Sequence, residues 1–447
     1  MKKLLEKLKK NNYEIAILSD DEIRSGLNLK IKKLKMENDI LFFIDIKNNI
    51  YITWQKLLND INSTNSVQNY IHYNSFYDIF LQVIKSYLFN NNVILINSEL
   101  KEFENKSIID KIKISSTKTK LSFNFSSKDE FLHYISNYKS KGSITLLTSG
   151  STGLPKIVTH YFDSLNRFVK TGKKYTHDIW GLAYHPAHIA GLQVFLQAFF
   201  NGNLIVRLFG LEISQIKELI LKYNINRISA TPTFYRLLVD KNLYFENVKS
   251  ITSGGEKIDN ELKDSLKNIF KNAKFINVYA STEAGSLFAS DDEWFYIPEH
   301  VKDYVKIVNN QIFIHKTYIG FIENNSDNEW YSTGDVIEWE NSEKKRFKIV
   351  GRINDIIKVG GYKVNLQEIE EAINQIKTVK ICKVYNKKNS VLGNIICSDI
   401  VVKENCLLNE KEVRNFLRDK LQEYKIPRLI RFVENIETTY TGKLTRK

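Results

Sequence analysis

The run Thr148-Ser149-Gly150-Ser151-Thr152-Gly153-Leu154-Pro155-Lys156 gathers hydroxyls, glycines and a lysine into nine residues. Glycines let successive backbone N–H groups turn toward one anion, hydroxyls add further donors, and the lysine supplies charge. This is chemistry for holding a polyphosphate. The order differs from the Walker loop, because no Gly-Lys-Ser/Thr closes it. A Ser- and Gly-rich surface turn would have the same composition, so the run needs support from elsewhere in the chain.

Four further clusters follow in order. They are Tyr279-Ala280-Ser281-Thr282-Glu283, Tyr331-Ser332-Thr333-Gly334-Asp335, the stretch from Gly351-Arg352 to Gly360-Gly361, and Thr441-Gly442-Lys443-Leu444. With the first run they resemble, in order and spacing, the signatures of the adenylate-forming superfamily. That superfamily holds acyl-CoA synthetases, the adenylation domains of peptide synthetases and the beetle luciferases. One such motif is a weak signal, whereas five in sequence are specific. The resemblance covers the last two thirds of the chain and is faint before it.

The resemblance implies a two-step reaction with ATP and Mg²⁺: a carboxylate becomes an acyl-adenylate, and a thiol then takes the acyl group. Thr148, Ser149, Gly150, Ser151, Thr152 and Gly153 would cradle the β- and γ-phosphates, supported by Lys156. Thr282 would meet the α-phosphate and Glu283 would hold Mg²⁺, a hard cation that takes oxygen ligands. A helix N-cap pair is the plain alternative for Thr282-Glu283. Asp335 would accept hydrogen bonds from both ribose hydroxyls, as one carboxylate can, with Arg352 beside the ribose or phosphate. The plain alternative is that Asp335 caps a turn and Arg352 pairs with it. Gly254, Gly255 and Glu256 would lie against the adenine, with Tyr279 stacked on it. Lys443 resembles the mobile catalytic lysine, whose charge would bridge the carboxylate and the α-phosphate.

The same likeness assigns the acid pocket. His188 falls at its gate, with Gly191 and Ala280 along its wall and His185 a bystander. The segment Ala187–Leu192 also looks like o-succinylbenzoate–CoA ligase. Amino-acid-activating relatives carry an aspartate just after this gate, but Gly191-Leu192-Gln193-Val194 contains no acid. A buried, unpaired ammonium would cost several kcal/mol, so a neutral acyl or aryl acid is expected. Ala280 stands where most relatives have glycine, which favours a small or medium acid. Gly361 lies where pantetheine would pass, so the acceptor is coenzyme A or the phosphopantetheine of an acyl carrier protein. Three other readings are an amino-acid adenylating enzyme serving a separate carrier, a luciferase-like oxidase, and a degenerate nucleotide-binding relative. The joint presence of Lys443, Glu283, Asp335 and Arg352 argues against degeneration.

These residues must be positioned by strands and helices, and the apolar runs indicate which. Ile144–Leu147, before the phosphate run, reads as a buried strand. From Gly142 to about Glu340, apolar strands at 203–206, 227–230, 248–251 and 275–278 alternate with helices Ile213–Tyr223 and Asn260–Asn268, which predicts parallel β/α layers. Before that, 39–45 and 92–97 read as strands, and 51–57 as a strand entering a helix. After Arg352 the pattern is a strand pair, helix Leu366–Ile376, strands near 379–385 and 394–402, and helix Glu410–Leu421. The fold expected is α/β: a large N-terminal domain of layered sheets and helices (1–353) and a small mobile α+β lid (354–447). The resemblance places the hinge at Asn354, where relatives more often carry Asp or Lys.

Composition narrows the class. The chain has 447 residues, 43% hydrophobic and 12% aromatic, enough for two or three packed domains. The net charge of +14 comes from scattered lysines. There is no arginine-rich tract or zinc-finger spacing, so no nucleic-acid partner is expected. The lysine-rich start lacks the apolar core and cleavage site of a signal peptide, and no run approaches the length of a membrane span. Three cysteines without paired spacing suggest a reducing compartment. A cytoplasmic enzyme without a fused carrier domain is expected.

Overall fold

A computed structural model describes residues 40–71, 75–96, 116–118, 121–148, 156–239, 243–322, 328–353, 356–359, 362–389 and 393–436. Within these residues the chain forms three larger sheets and a separate C-terminal unit. An eight-stranded sheet runs from edge to edge through Gly285–Ser290, Lys274–Ser281, Ser250–Gly254, Arg227–Ala230, Ile179–Leu182, Leu204–Arg207, Leu41–Asp45 and Ile50–Thr53. The inner pairings are parallel, and each edge strand is antiparallel to its neighbour. Helices Ile213–Lys222 and Asn260–Ile269 lie in the crossovers, as the alternation predicts.

A five-stranded sheet joins Phe321–Ile322, Lys156–Tyr161, Ser143–Thr148, Asn92–Leu95 and Tyr70–Ile71 in that order. Aromatic packing fills the core that includes residues of both sheets: Phe80 stacks on Phe195 at 4.3 Å, and Phe43 meets Phe80 edge-on at 5.0 Å. Such ring pairs add specific geometry to the burial of large apolar surface. The helices around this core start at side-chain caps that satisfy orphan N–H groups. Thr53 caps Trp54–Asn62, and a Ser75/Asp78 capping box opens Phe76–Phe89.

The stretch from Gly285 to Arg352 differs from the expected alternation. Among its described residues the helical element is the 3₁₀ segment Glu299–Tyr304, and the others are strands. Val305–Val308, Gln311–His315, Trp330–Trp339 and Phe347–Arg352 form a four-stranded antiparallel sheet. Short β-branched and aromatic runs separated by Asn-rich turns produce it: Asn309 and Asn310 have φ of 49° and 59°, a left-handed conformation that asparagine tolerates.

The C-terminal unit pairs Ile356–Val359 with Tyr362–Asn365, then packs helices Leu366–Asn374 and Glu410–Arg418 on a sheet of Val379–Asn389, Gly393–Val402 and Leu429–Phe432. It has its own core around Ile369, Ile373, Val384 and Leu417. Among the described residues, polar links to the rest of the chain include Lys257 Nζ to Glu371 Oε2 at 2.8 Å and Asn365 Nδ2 to the Val350 carbonyl at 2.8 Å. Helix Pro232–Leu238 also packs against strand Val379–Asn389. No described helix is long and apolar enough to cross a membrane, and no disulfide joins Cys382, Cys397 or Cys406.

His185 belongs to the core, as a bystander should. It is 7% exposed, with Phe76 edge-on at 4.8 Å, Phe209 at 5.7 Å, and its Nδ1 accepting from the Ala187 N–H. Burial, helped by the Arg207 charge, pulls its pKa from 6.5 down to about 4. The folded value lies below the unfolded one, so the stability contributed by neutral His185 is whole above pH 6.5 and is lost as pH falls toward 4. Asparagine at this position keeps an acceptor for the Ala187 N–H but does not titrate. Urea unfolding at pH 6.5 and pH 5 should therefore show a decline in stability smaller by roughly 2 kcal/mol in His185→Asn than in the unmodified chain. Equal declines would mean that His185 is protonated in the folded state.

Candidate active site

The Tyr279–Glu283 motif lies on a hairpin at the edge of the eight-stranded sheet. Strand Lys274–Ser281 turns through Thr282, Glu283 and Ala284 into Gly285–Ser290, and the two pair antiparallel with Ser281 opposite Gly285. Thr282-Glu283 is therefore a hairpin turn and not a helix cap. Gly285 closes it at φ 70°, a conformation that costs glycine nothing sterically. The Ser281 hydroxyl accepts from the Ala284 N–H at 3.2 Å. A register shift between Tyr279 and Ala280 marks a bulge, a device that re-aims neighbouring side chains.

Two side chains from other sheets converge on Glu283. Lys156 Nζ stands 2.9 Å from Glu283 Oε1, and the Tyr331 hydroxyl donates to the same oxygen at 2.8 Å. Lys156 also donates to the Tyr331 oxygen at 2.7 Å, which closes a triangle. Burial alone would raise the Glu283 carboxyl. The Lys156 ammonium and the Tyr331 hydroxyl outweigh it and hold the group below the usual carboxylate range. Burial and the Glu283 charge push the Tyr331 phenol up to about 12. Glu283 is thus an anion and Tyr331 a neutral donor throughout the physiological range.

A second cluster forms on the same hairpin. Asp335 is 4% exposed; its Oδ2 accepts from the Tyr279 hydroxyl at 2.5 Å and its Oδ1 from Arg352 Nε at 2.9 Å. Asp335 and Arg352 lie opposite each other on antiparallel strands, the placement that lets cross-strand charges pair. Arg352 does pair with Asp335, then, but the carboxylate retains lone pairs beyond these two bonds. The Tyr279 ring stacks on Phe288 with centroids 5.3 Å apart.

The other expected residues lie as follows. Gly254 ends strand Ser250–Gly254, where an added Cβ would sit 3.1 Å from the Val278 carbonyl, and Gly255 has φ 84°. Glu256 accepts from the Thr233 N–H at 3.0 Å and the Thr233 hydroxyl at 2.7 Å, at the start of helix Pro232–Leu238. His188 caps helix Ile189–Phe199, with Nδ1 accepting from the Ala190 N–H at 3.4 Å. Gly191 sits in the first turn of that helix, where a Cβ would come within 2.2 Å of the His185 carbonyl; close backbone packing accounts for its size. Two residues on, Gln193 Oε1 accepts from the Ser286 hydroxyl at 3.3 Å, and Ser286 is the strand partner of Ala280. Helix Ile189–Phe199 therefore touches strand Gly285–Ser290, the partner of the strand that carries Ala280.

Thr148 and Lys156 are strand partners at the two ends of the phosphate run. Ser149, Gly150, Ser151, Thr152 and Gly153 lie outside the described residues, as do Asn354, Gly361 and Lys443.

Sequence reasoning missed Tyr331 and His160. Both had a usable signal in strand alternation. Tyr331 shares its parity with Asp335 on Trp330–Trp339, and His160 shares its parity with Lys156 on Lys156–Tyr161. His160 is 3% exposed, and its Nε2 lies 2.7 Å from the Thr282 carbonyl.

Comparison with known proteins points the same way. Residues 93–309 match the model of the AMP-binding enzyme family, and residues 368–443 match that of the AMP-binding enzyme C-terminal domain. The chain is 23% identical over 328 residues to a 2-succinylbenzoate–CoA ligase of Lactococcus lactis, covering 69% of this chain and 70% of that one. It is 27% identical over 353 residues to a D-alanine–D-alanyl carrier protein ligase of Staphylococcus aureus, covering 68% and 70%. Among solved structures, the fold is similar to an o-succinylbenzoate CoA synthetase of Bacillus subtilis holding its acyl-adenylate intermediate. The TM-score is 0.64 and the identity 17%, over 92% of this chain and 95% of that one. An ATP-bound enzyme of Rhodopseudomonas palustris, MatB, aligns with a TM-score of 0.66 and 15% identity over 92% and 95%.

Proposed function

The chain belongs to the AMP-binding enzyme family of the adenylate-forming superfamily, and from that premise we propose that it joins a neutral acyl or aryl acid of small to medium size to a pantetheine thiol. It is an AMP-forming acid–thiol ligase. The observation that carries the reading is convergence: Lys156 and Tyr331, from two other sheets, meet Glu283, and Asp335, paired with Arg352 on the neighbouring strand, meets Tyr279 on the same hairpin.

In the first step a carboxylate oxygen of the acid bonds to the α-phosphorus of ATP, and the bond to pyrophosphate breaks. In the second the thiolate bonds to the acyl carbon and AMP leaves. Among the described residues no three His, Cys, Asp or Glu side chains converge as a metal cage. A single carboxylate, Glu283, suits Mg²⁺, which takes most of its ligands from water and substrate phosphates. Glu283 would hold the ion, which supplies charge neutralisation to the phosphate oxygens. Lys156 would turn from Glu283 to the phosphates, while Tyr331 keeps its bond to the carboxylate. Asp335 would fix the ribose, with Arg352 beside it. Thr282 would meet the α-phosphate and Lys443 the charge that builds during adenylation. The run Thr148–Gly153 would hold the outer phosphates, and Gly254, Gly255 and Tyr279 would line the adenine side.

Substrate class follows from what surrounds His188. The side chain that follows on the gate helix and reaches Ser286, the cross-strand partner of Ala280, is the neutral Gln193, not an acid. Ala280 narrows the pocket wall. The thiol belongs to coenzyme A or to a carrier protein, passing near Gly361. The boundary between large domain and lid is placed at 353/354 with Asn354 as hinge, in keeping with the separate core of the C-terminal unit. We place the enzyme in the cytoplasm, which suits three cysteines without a disulfide.

The test is incubation with Mg·ATP and a panel of carboxylic acids, with D-alanine included because a D-alanine ligase is among the relatives. AMP and pyrophosphate should form, fastest with a small or medium neutral acid. ADP without AMP would overturn the ligase reading; a clear optimum on D-alanine would overturn the substrate class alone.

A further inference from the structure

Two consecutive carbonyls of the Thr282-Glu283 turn are held by groups outside every motif named above. The Thr282 carbonyl lies 2.7 Å from His160 Nε2, and the Glu283 carbonyl accepts from the Gly320 N–H at 2.8 Å. A carbonyl only accepts, so the His160 nitrogen facing it carries the proton. The two holders also fix each other. A Cβ at Gly320 would come within 2.7 to 2.9 Å of Cε1, Nδ1 and Nε2 of His160, so only glycine fits against that ring. Gly320 leads directly into Phe321–Ile322, whose residues pair with Thr159 and Val158 on His160's own strand. That strand also delivers Lys156, four residues earlier and of the same parity, to the Glu283 carboxylate. One strand of the five-stranded sheet thus grips a turn that belongs to the eight-stranded sheet, at its backbone and at its side chain.

We propose that His160, seated against Gly320, is a positioning residue that sets the Thr282-Glu283 turn for the metal–nucleotide complex. The inference rests on the ligase reading and adds to it a residue that touches neither nucleotide nor acid. A hairpin turn at a sheet edge has freedom that the strands flanking it lack, and both groups expected to meet the nucleotide lie on this turn. Holding its carbonyls leaves the Thr282 hydroxyl and the Glu283 carboxylate aimed without any rearrangement on binding, which is how supporting hydrogen bonds preorganise a site.

The experiment measures binding of Mn²⁺·ATP by water-proton relaxation, and binding of metal-free ATP by calorimetry, on the full chain. His160→Leu should bind Mn²⁺·ATP 10- to 100-fold more weakly, the range for loss of a supporting partner, with a much smaller change for metal-free ATP. His160→Gln places an amide N–H near the lost Nε2 and should recover most of the affinity. Gly320→Ala should reproduce the loss with His160 intact, and it carries the test if the leucine variant does not fold. Unchanged Mn²⁺·ATP affinity in Gly320→Ala or His160→Leu would overturn the proposal, as would a glutamine variant no better than leucine. Equal losses for Mn²⁺·ATP and metal-free ATP would also overturn it, since they would mark a merely structural histidine. An unmodified chain that binds no Mn²⁺·ATP would remove the ligase reading, and this inference with it.

Discussion

A Glu283→Gln enzyme should form acyl-adenylate with kcat/KM lower by on the order of 10²- to 10³-fold, the scale set by removing one aimed electrostatic group from a reacting phosphate or acyl centre. The substitution preserves shape, and the amide oxygen can still accept from Tyr331. What it removes is the anion. A neutral carboxamide binds a hard cation weakly, so the Mg²⁺ concentration for half-maximal rate should rise as well. The loss should not come from unfolding. The Glu283 carbonyl stays on the Gly320 N–H, and Lys156, with a third of its side chain exposed, remains solvated when its partner goes. The pH dependence of stability should shift too. Because the folded Glu283 value lies below the ordinary 4.5, its contribution is present above pH 4.5 and is lost as pH falls through the folded value; the glutamine variant should lack that acid limb. Pyrophosphate release titrated with Mg²⁺ checks the main claim. A rate loss with an unchanged Mg²⁺ midpoint would mean that Glu283 serves Lys156 and not the ion.

The architecture was readable where local pattern and global position agree. Strand Leu204–Arg207 and helix Ile213–Lys222 follow from an apolar run and helical spacing, because a parallel strand covered on both faces carries continuous apolar stretches such as Leu204-Ile205-Val206. Gly285 to Arg352 was harder. Its strands are partly exposed and separated by Asn turns, and polar residues interrupt the alternation: Lys306 lies over the Trp330 ring, and Thr333 donates to the Ile312 carbonyl of the neighbouring strand. The site divides in the same way. Glycine, hydroxyl and acid types announced Thr282, Glu283 and Asp335. The partners that tune them did not announce themselves. Tyr331 acts on Glu283 across 48 positions and His160 on Thr282 across 122, distances that only the pairing of sheets can close. The turn at Thr282 shows the limit from the other side. Its residue types suit a helix cap as well as a hairpin, and only the antiparallel return of Gly285–Ser290 decides between them.

A Lys443→Ala enzyme should lose adenylate formation by on the order of 10²- to 10³-fold, yet make thioester from preformed acyl-adenylate at close to the unmodified rate. The asymmetry follows from charge. Negative charge accumulates between carboxylate and α-phosphate only while the anhydride is forming, so a cation there stabilises the first transition state and has no matching task in the second. It also requires the C-terminal unit to carry the lysine in and out, which would part the polar links described above and the packing of helix Pro232–Leu238 on strand Val379–Asn389. The Lys257–Glu371 ion pair keeps about a quarter to a third of each side chain in contact with solvent, so water can take over both charges when it parts. The Asn365–Val350 hydrogen bond contributes about 1 kcal/mol. The C-terminal core, around Ile369, Ile373 and Leu417, is internal to that unit and would travel with it unbroken. Lid rotations of this kind commonly set turnover. Single-turnover assays of each half-reaction, on both forms, measure the split. Equal losses in the two halves would show that Lys443 supports the structure of both steps or that the unit does not rotate. A Lys257→Ala/Glu371→Ala pair, which frees the polar link without touching the site, should leave the adenylation step intact and change only the rate at which the second step follows.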